Sequence, residues 1–123
     1  MAITRTYIGR AKYDFGIDGG EQGAIALANN FSLPIGAMII GAWTDVKTAM
    51  ASGGSATVAL AVGGVTIKAA TAMDDAAYTG IDYHLARTSS ALTSAAGSVS
   101  FTVATADLTA GVVDIYVEYI LAD

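Results

Sequence analysis

The sequence contains no cysteine, and this absence removes several kinds of chemistry at once. Disulfide frameworks, thiol nucleophiles and cysteine-ligated zinc are all excluded. Charged residues make up only 14% of the 123 residues, against roughly 25% in an average soluble domain. Because 54% of the residues are hydrophobic, so sparsely charged a surface indicates that another protein covers part of the exterior.

Long hydrophobic runs are also missing. The longest, residues 36–43 (GAMIIGAW), is far shorter than the roughly 20 residues that a membrane-spanning helix needs. The first ten residues, MAITRTYIGR, lack the apolar core of a signal peptide. We therefore expect no membrane partner.

Positive charge is scarce and unevenly placed. The formal net charge is −5, yet Arg5, Arg10 and Lys12 all precede the first acid, Asp14. An acidic body argues against nucleic-acid binding, because phosphate contacts need a basic surface. The N-terminal basic cluster is either the solvated end of a strand or an arm that touches an acidic partner.

Alternation of apolar and polar residues with a period of two is the dominant pattern, and it predicts β-strands. In residues 98–121 the pattern occurs twice, around a loop that contains Asp107 and Gly111. We predict a hairpin of two antiparallel strands with one apolar face. Residues 55–70 predict a second, tight hairpin, because the turn Gly63-Gly64 suits positive φ angles.

The remaining segments are less regular. Residues 37–46 predict a central strand with apolar residues on both faces, so that core lies on one side and a neighbouring subunit on the other. Pro34, the only proline, belongs at the beginning of that strand or on an edge. Residues 1–15 predict an edge strand or an extended arm. We interpret residues 23–31 as a strand, with a short helix over residues 21–29 as the alternative, and residues 48–54 and 87–97 as loops.

About eight short strands result, with at most a turn or two of helix. The fold class is therefore all-β: one domain over residues 1–123, a β-sandwich with jelly-roll-like connections. A small closed barrel is the alternative.

Catalytic and metal-binding patterns are weak. His84, the only histidine, shares a strand face with Asp82, but no serine stands in the context of a nucleophilic triad. Asp74 and Asp75, with Asp82, lack the spacing of a calcium loop. The glycine pairs lack the lysine of a phosphate loop. We expect no enzyme, no cofactor and no metal. Trp43 is interpreted as a core anchor rather than a ligand platform, and the six tyrosines as partly core and partly interface residues.

Three stretches resemble the head decoration, or cement, proteins of tailed bacteriophages. They are LPIGAMIIGAWTDVKTAMASGGSATVAL at residues 33–60, the VTIKAATAM that follows, and VSFTVATADLTAGVVDIYVEYIL at residues 99–121. The resemblance implies a non-enzymatic β-sandwich that binds the outer surface of an icosahedral phage head. It further implies a homotrimer that braces neighbouring subunits of the major capsid protein.

Two sets of contact residues follow as hypotheses. The basic residues Arg5, Arg10 and Lys12 would contact the capsid. A second set on the two-faced strands would contact neighbouring subunits of the trimer: Ile39, Trp43 and Tyr116. The alternative function is a receptor- or glycan-binding domain of a phage fibre, with a cleft to which four residues contribute: Tyr78, Asp82, Tyr83 and His84.

Overall fold

The computed structural model describes residues 5–75, 78, 80–85, 92–93 and 96–121. Within these residues the chain forms nine strands and one four-residue helix. In chain order the elements are β1 (Arg5–Asp14), α1 (Phe15–Asp18), β2 (Gly23–Ile25), β3 (Met38–Ser52), β4 (Thr57–Val62), β5 (Val65–Ala72), β6 (Ile81–Leu85), β7 (Leu92–Thr93), β8 (Val99–Ala104) and β9 (Leu108–Leu121).

The strands form two antiparallel sheets. Sheet A has the order β1-β9-β3-β6, with β7 also paired to β3, and sheet B has the order β2-β8-β4-β5. The pairs β1–β9, β2–β8, β3–β6 and β4–β5 are nested, like the rungs of one long hairpin. The pairs β3–β9 and β4–β8 roll this hairpin into two sheets, which is the connectivity of a jelly roll. The predicted all-β, jelly-roll-like sandwich is confirmed.

The core fills the space between the two sheets. Alternate residues of β8 and β9 point inward. Of the seven residues on the predicted apolar faces, Tyr119 is half-buried and the other six are at most 3% exposed: Val99, Phe101, Val103, Val113, Ile115 and Val117. The Tyr13 ring stacks on Phe101 with centroids 4.2 Å apart, so β1 and β8 contact each other through the core. The inward faces were therefore predictable from the alternation alone.

The predicted hairpin over residues 98–121 is wrong. β8 belongs to sheet B and β9 to sheet A, so the two strands are not paired. Residues 105–107 cross from one sheet to the other, with Thr105 at a φ of 75°. An apolar face is buried equally well whether the next strand lies beside it or across the core, and alternation does not distinguish these cases.

The other predicted hairpin is confirmed. β4 pairs with β5 across Gly63 and Gly64, whose φ angles are 54° and 81°. Both values fall in the left-handed region that a two-residue I′ turn needs and that glycine adopts without strain.

β3 is longer and less regular than predicted. It continues to Ser52, through the segment predicted as a loop, and Pro34 precedes it as expected. A register shift between Ile39 and Gly41 reverses the alternation, so that Ile39 and Ala42 both point into the core. Trp43 is left on the outer face of sheet A, so the interpretation of Trp43 as a core anchor is wrong.

β1 is the edge strand of sheet A, as predicted, and is not a detachable arm, because Ala11 and Tyr13 are part of the core. The strand predicted over residues 23–31 is confined to β2. The alternative helix over residues 21–29 is not formed, and α1 lies earlier. In the described residues, no helix has the length and apolar character to cross a membrane.

Candidate interaction surface

The outer face of sheet A carries a pair of stacked aromatic rings. Trp43 of β3 and Tyr116 of β9 are directly opposite in the register. Their ring centroids are 5.4 Å apart and their planes differ by 16°. Both side chains are half-buried. Large rings that remain partly exposed on a sheet face are typical of protein interfaces. We call these two residues the aromatic pair.

An ion pair lies beside the aromatic pair. Arg10 of β1 is opposite Tyr116 and donates a hydrogen bond of 2.9 Å to Oδ1 of Asp114. The Arg10 side chain is 57% exposed and that of Asp114 only 4%. The hydrogen bond and the charge of Asp114 raise the pKa of the Arg10 guanidinium. The exposed cation is thus fixed in position and partly neutralised within the chain.

A second ion pair extends this row of charges. Asp45 of β3 is opposite Asp114 and forms an ion pair with Lys47. The hydrogen bond that Lys47 donates to Asp45, together with the charge of Asp45, raises the pKa of Lys47. Each carboxylate of this like-charged pair is compensated by its own cation, which permits two acids to stand side by side on adjacent strands.

The predicted capsid contacts all lie on β1. Arg5 begins the strand, and only its backbone is described. Arg10 and Lys12 alternate onto the outer face, and Lys12 forms no ion pair with any described residue. A shallow cavity of about 350 Å³ lies at the end of this row and is lined by Arg10, Ala11, Lys12, Asn29 and Asn30.

Of the predicted subunit contacts, the outer face brings together Trp43 and Tyr116 but not Ile39. The Ile39 side chain is 1% exposed and lies in the core, so a second subunit cannot reach it. The physical reason is the register shift at Ile39/Gly41, which places Ile39 on the opposite face from Trp43 in spite of their equal parity.

Of the four residues proposed for a glycan cleft, the structure describes the side chain of Tyr78 alone. Tyr78 is 1% exposed, and its hydroxyl donates to the carbonyl of Val58 at 3.1 Å, so its ring cannot stack on a sugar. Asp82, Tyr83 and His84 lie on β6, and their side chains are outside the described residues.

The calcium hypothesis gains no support from the geometry. Asp74 and Asp75 follow β5 in an exposed turn. In the described part of the chain, no group of three or more histidine, aspartate or glutamate side chains is arranged to hold a metal ion.

Two buried acids on the outer face escaped prediction. Asp114 and Glu118 are 3% and 8% exposed, although both point away from the core. The sequence DIYVE, residues 114–118, did indicate that both acids share a strand face with Tyr116. Asp114 is paired with Arg10, which is 104 residues distant in sequence and adjacent only through the β1–β9 register.

No protein-family model and no curated protein sequence matches the chain. Solved structures do. A chain of the acidic stable capsid structure of Helicobacter pylori bacteriophage KHP30 superposes with a TM-score of 0.59 and 18% identity, covering 98% of this chain and 94% of that one. A chain of the cyanophage Pam1 capsid asymmetric unit superposes with a TM-score of 0.53 and 19% identity, covering 96% and 86%. At these identities the likeness establishes a shared fold.

Proposed function

We propose that the protein is a structural component of a phage virion, a decoration or cement protein. In this proposal it binds the outer surface of the icosahedral head as a homotrimer and stabilises contacts between major capsid subunits. It acts through binding alone, without catalysis.

The observation that carries the proposal is the likeness over the whole chain to chains of two phage capsids. Because 94% and 86% of those chains are covered, the match is to chains of nearly this length and not to one domain of a large subunit. A small chain with the fold of another small capsid chain is consistent with an accessory capsid protein.

The surface chemistry supports binding to other proteins. Of the 123 residues only 14% are charged, and the outer face of sheet A presents the half-buried aromatic pair. Aromatic residues are enriched and charges depleted at interface centres. We assign Trp43 and Tyr116 to the contact between subunits of the trimer, and the basic strand β1, with Arg5, Arg10 and Lys12, to the capsid. Repetition of modest contacts over a symmetric shell supplies avidity.

The fibre-domain alternative receives less support. Tyr78 is one of the four residues expected to contribute to its cleft, and the Tyr78 ring is part of the core. Three shallow concavities in the described part of the chain have no aromatic residue in their lining that could stack on a sugar.

Co-sedimentation tests the proposal. Purified protein is mixed with phage shells that were assembled without it, and the bound fraction and the heat resistance of the shells are measured. Saturable binding with a raised melting temperature of the shell is the expected result. Protein that stays in the supernatant at every concentration, or a glycan array that gives hits while shells give none, would contradict it.

A further inference from the structure

The edge of β1 that points away from β9 is open over Thr6 to Arg10 and is closed at Lys12, which forms an antiparallel bridge with Asn29. β1 is the outermost strand of sheet A, and its register with β9 runs without a bulge from Arg5 to Asp14. The N–H of Lys12 is directed away from β9, to the carbonyl of Asn29 at 2.9 Å. In an antiparallel pair the direction of the backbone groups alternates along the strand. The N–H and C=O groups of Thr6, Ile8 and Arg10 are therefore directed outward as well.

No hydrogen bond joins these outward backbone groups to the residues that the structure describes. Thr6, Ile8 and Arg10 are exposed, and the Ile8 side chain is 57% exposed. Bulges commonly blunt an edge against further pairing. The β5 edge of sheet B has two register shifts against β4, whereas β1 has none against β9. Of these two long edges, β1 is the one ready to accept another strand.

The charge of β1 indicates which kind of strand would pair with its open edge. Three of the six basic residues of the chain are Arg5, Arg10 and Lys12, and no acid precedes Asp14. A second copy of β1 would add three further basic residues beside the first three, and like charges on adjacent strands are destabilising. An extended segment with acidic side chains would be attracted instead. The cavity of about 350 Å³ beside Lys12 and Asn29 offers room for one of its side chains where the open edge ends.

From this geometry we infer that β1 receives an extended acidic segment of the major capsid subunit as an added strand of sheet A. The backbone groups of Thr6, Ile8 and Arg10 supply the hydrogen bonds, and Lys12 supplies charge recognition. Strand addition of this kind takes affinity from the main chain and specificity from alternate side chains. This inference rests on the proposed function, since it names the partner and the surface that meets it.

Proline at position 8 tests the main-chain contribution. Proline is tolerated on an edge strand where the N–H faces solvent, so Ile8→Pro should fold but cannot donate to an added strand. We expect its dissociation constant for shells to be roughly tenfold above that of Ile8→Ala, which loses the same side chain but keeps the N–H. Thermal melting of both variants verifies that they fold.

Charge variants provide a second test of the proposal that does not depend on a proline substitution. Lys12→Glu should weaken shell binding and reduce its sensitivity to salt, because one attraction is removed. Lys68→Glu is the matched control: it makes the same charge change on β5 of the other sheet, and it should bind like the wild type. Hydrogen exchange adds a direct readout, since the amides of Thr6, Ile8 and Arg10 should become protected on bound shells.

The outcomes separate the two proposals. If wild-type protein fails to bind shells, the proposed function is wrong, and this inference with it. If the wild type binds while Ile8→Pro equals Ile8→Ala, Lys12→Glu equals Lys68→Glu and the three amides stay unprotected, only the strand addition is overturned. A loss of trimer mass in Ile8→Pro without shells present would show that a second copy occupies the edge, which also overturns it.

Discussion

Trp43 and Tyr116 stack face to face across β3 and β9 on the side of sheet A that points away from the core. Neither ring is needed to fill the space between the two sheets, because the core-facing positions are occupied by Ala42, Thr44, Ile115 and Val117. A large aromatic surface outside the core is therefore available for association.

Removal of one ring should weaken the trimer and spare the fold. Aromatic residues at interface centres commonly contribute about 2 kcal/mol or more, which corresponds to roughly 30-fold in a dissociation constant. We expect Tyr116→Ala to shift the mass in analytical ultracentrifugation toward the monomer. Tyr7→Ala is the control, because Tyr7 stacks on Tyr119 at 5.6 Å on the other side of the sheet. Equal masses for the two variants would contradict the assignment.

The side-chain amide of Asn30 forms the two hydrogen bonds to Val99 of β8 that a neighbouring strand would otherwise form. Its Oδ1 accepts from the N–H of Val99 at 3.1 Å, and its Nδ2 donates to the Val99 carbonyl at 2.9 Å. Asn30→Ala leaves the N–H and the C=O of the buried Val99 without this partner. The loss should lower the free energy of unfolding by about 1–3 kcal/mol. Urea denaturation measures it. Asn29→Ala is the control, since that side chain is exposed; an equal loss in both variants would show that the amide pairing is unimportant.

Asp18 ties α1 to the segment after β2. Its Oδ2 accepts from the N–H of Asp14 at 2.9 Å, and its Oδ1 accepts from the N–H of Ala28, also at 2.9 Å. Asp18→Ala should cost about 1–2 kcal/mol, because two hydrogen bonds to a charged acceptor are lost at a partly exposed site. Glu21→Ala, an exposed acid of the next turn, should change the urea midpoint little. The assignment fails if the two variants are equally stable.

Alkaline pH should destabilise the fold through two buried tyrosines. Burial, with the charges of Asp18 and Asp14, raises the pKa of Tyr13 to about 12, and burial together with Asp75 also raises the pKa of Tyr78. An unfolded tyrosine has a pKa of about 10. Above that value the unfolded chain loses protons that the folded chain keeps, so stability falls as pH rises from about 10 to 12 and is unaffected by these groups below about 10.

Tyr78→Phe isolates one of these groups. The variant keeps the ring but loses the phenolic hydroxyl and its hydrogen bond to the Val58 carbonyl. Its free energy of unfolding at neutral pH should therefore drop by about 1 kcal/mol. Its decline at high pH should be shallower than that of the wild type, since one of the two raised pKa values is gone. Urea unfolding at a series of pH values measures both effects. Parallel declines for the two proteins would contradict the role given to Tyr78.

Features of the fold that neighbouring residues determine could be predicted from the sequence. Features that depend on residues far apart in the chain could not. The β4–β5 hairpin was predictable because Gly63 and Gly64 set the turn locally. The pairing of β8 and β9 was not, because their apolar faces are satisfied across the core as well as side by side. Ile39 was misplaced because the register shift between Ile39 and Gly41 reverses the alternation, and the prediction did not use Gly41 as the sign of a bulge.

The same limit applied to the candidate surface. Trp43 and Tyr116 were identifiable as candidates from residue type and parity. Their stacking depends on the β3–β9 register, and the ion pair between Arg10 and Asp114 depends on the β1–β9 register. Both are contacts between residues more than 70 positions apart in the chain, which no local pattern specifies.

A reconstruction of the phage head by electron cryomicroscopy tests the central claim most directly. We expect density for the jelly roll on the outer surface of the shell, in groups of three, with β1 against the major capsid subunit and the outer face of sheet A turned toward the neighbouring copies. Density confined to the tail or its fibres, or a shell exterior that lacks the sandwich, would contradict the assignment as a decoration protein.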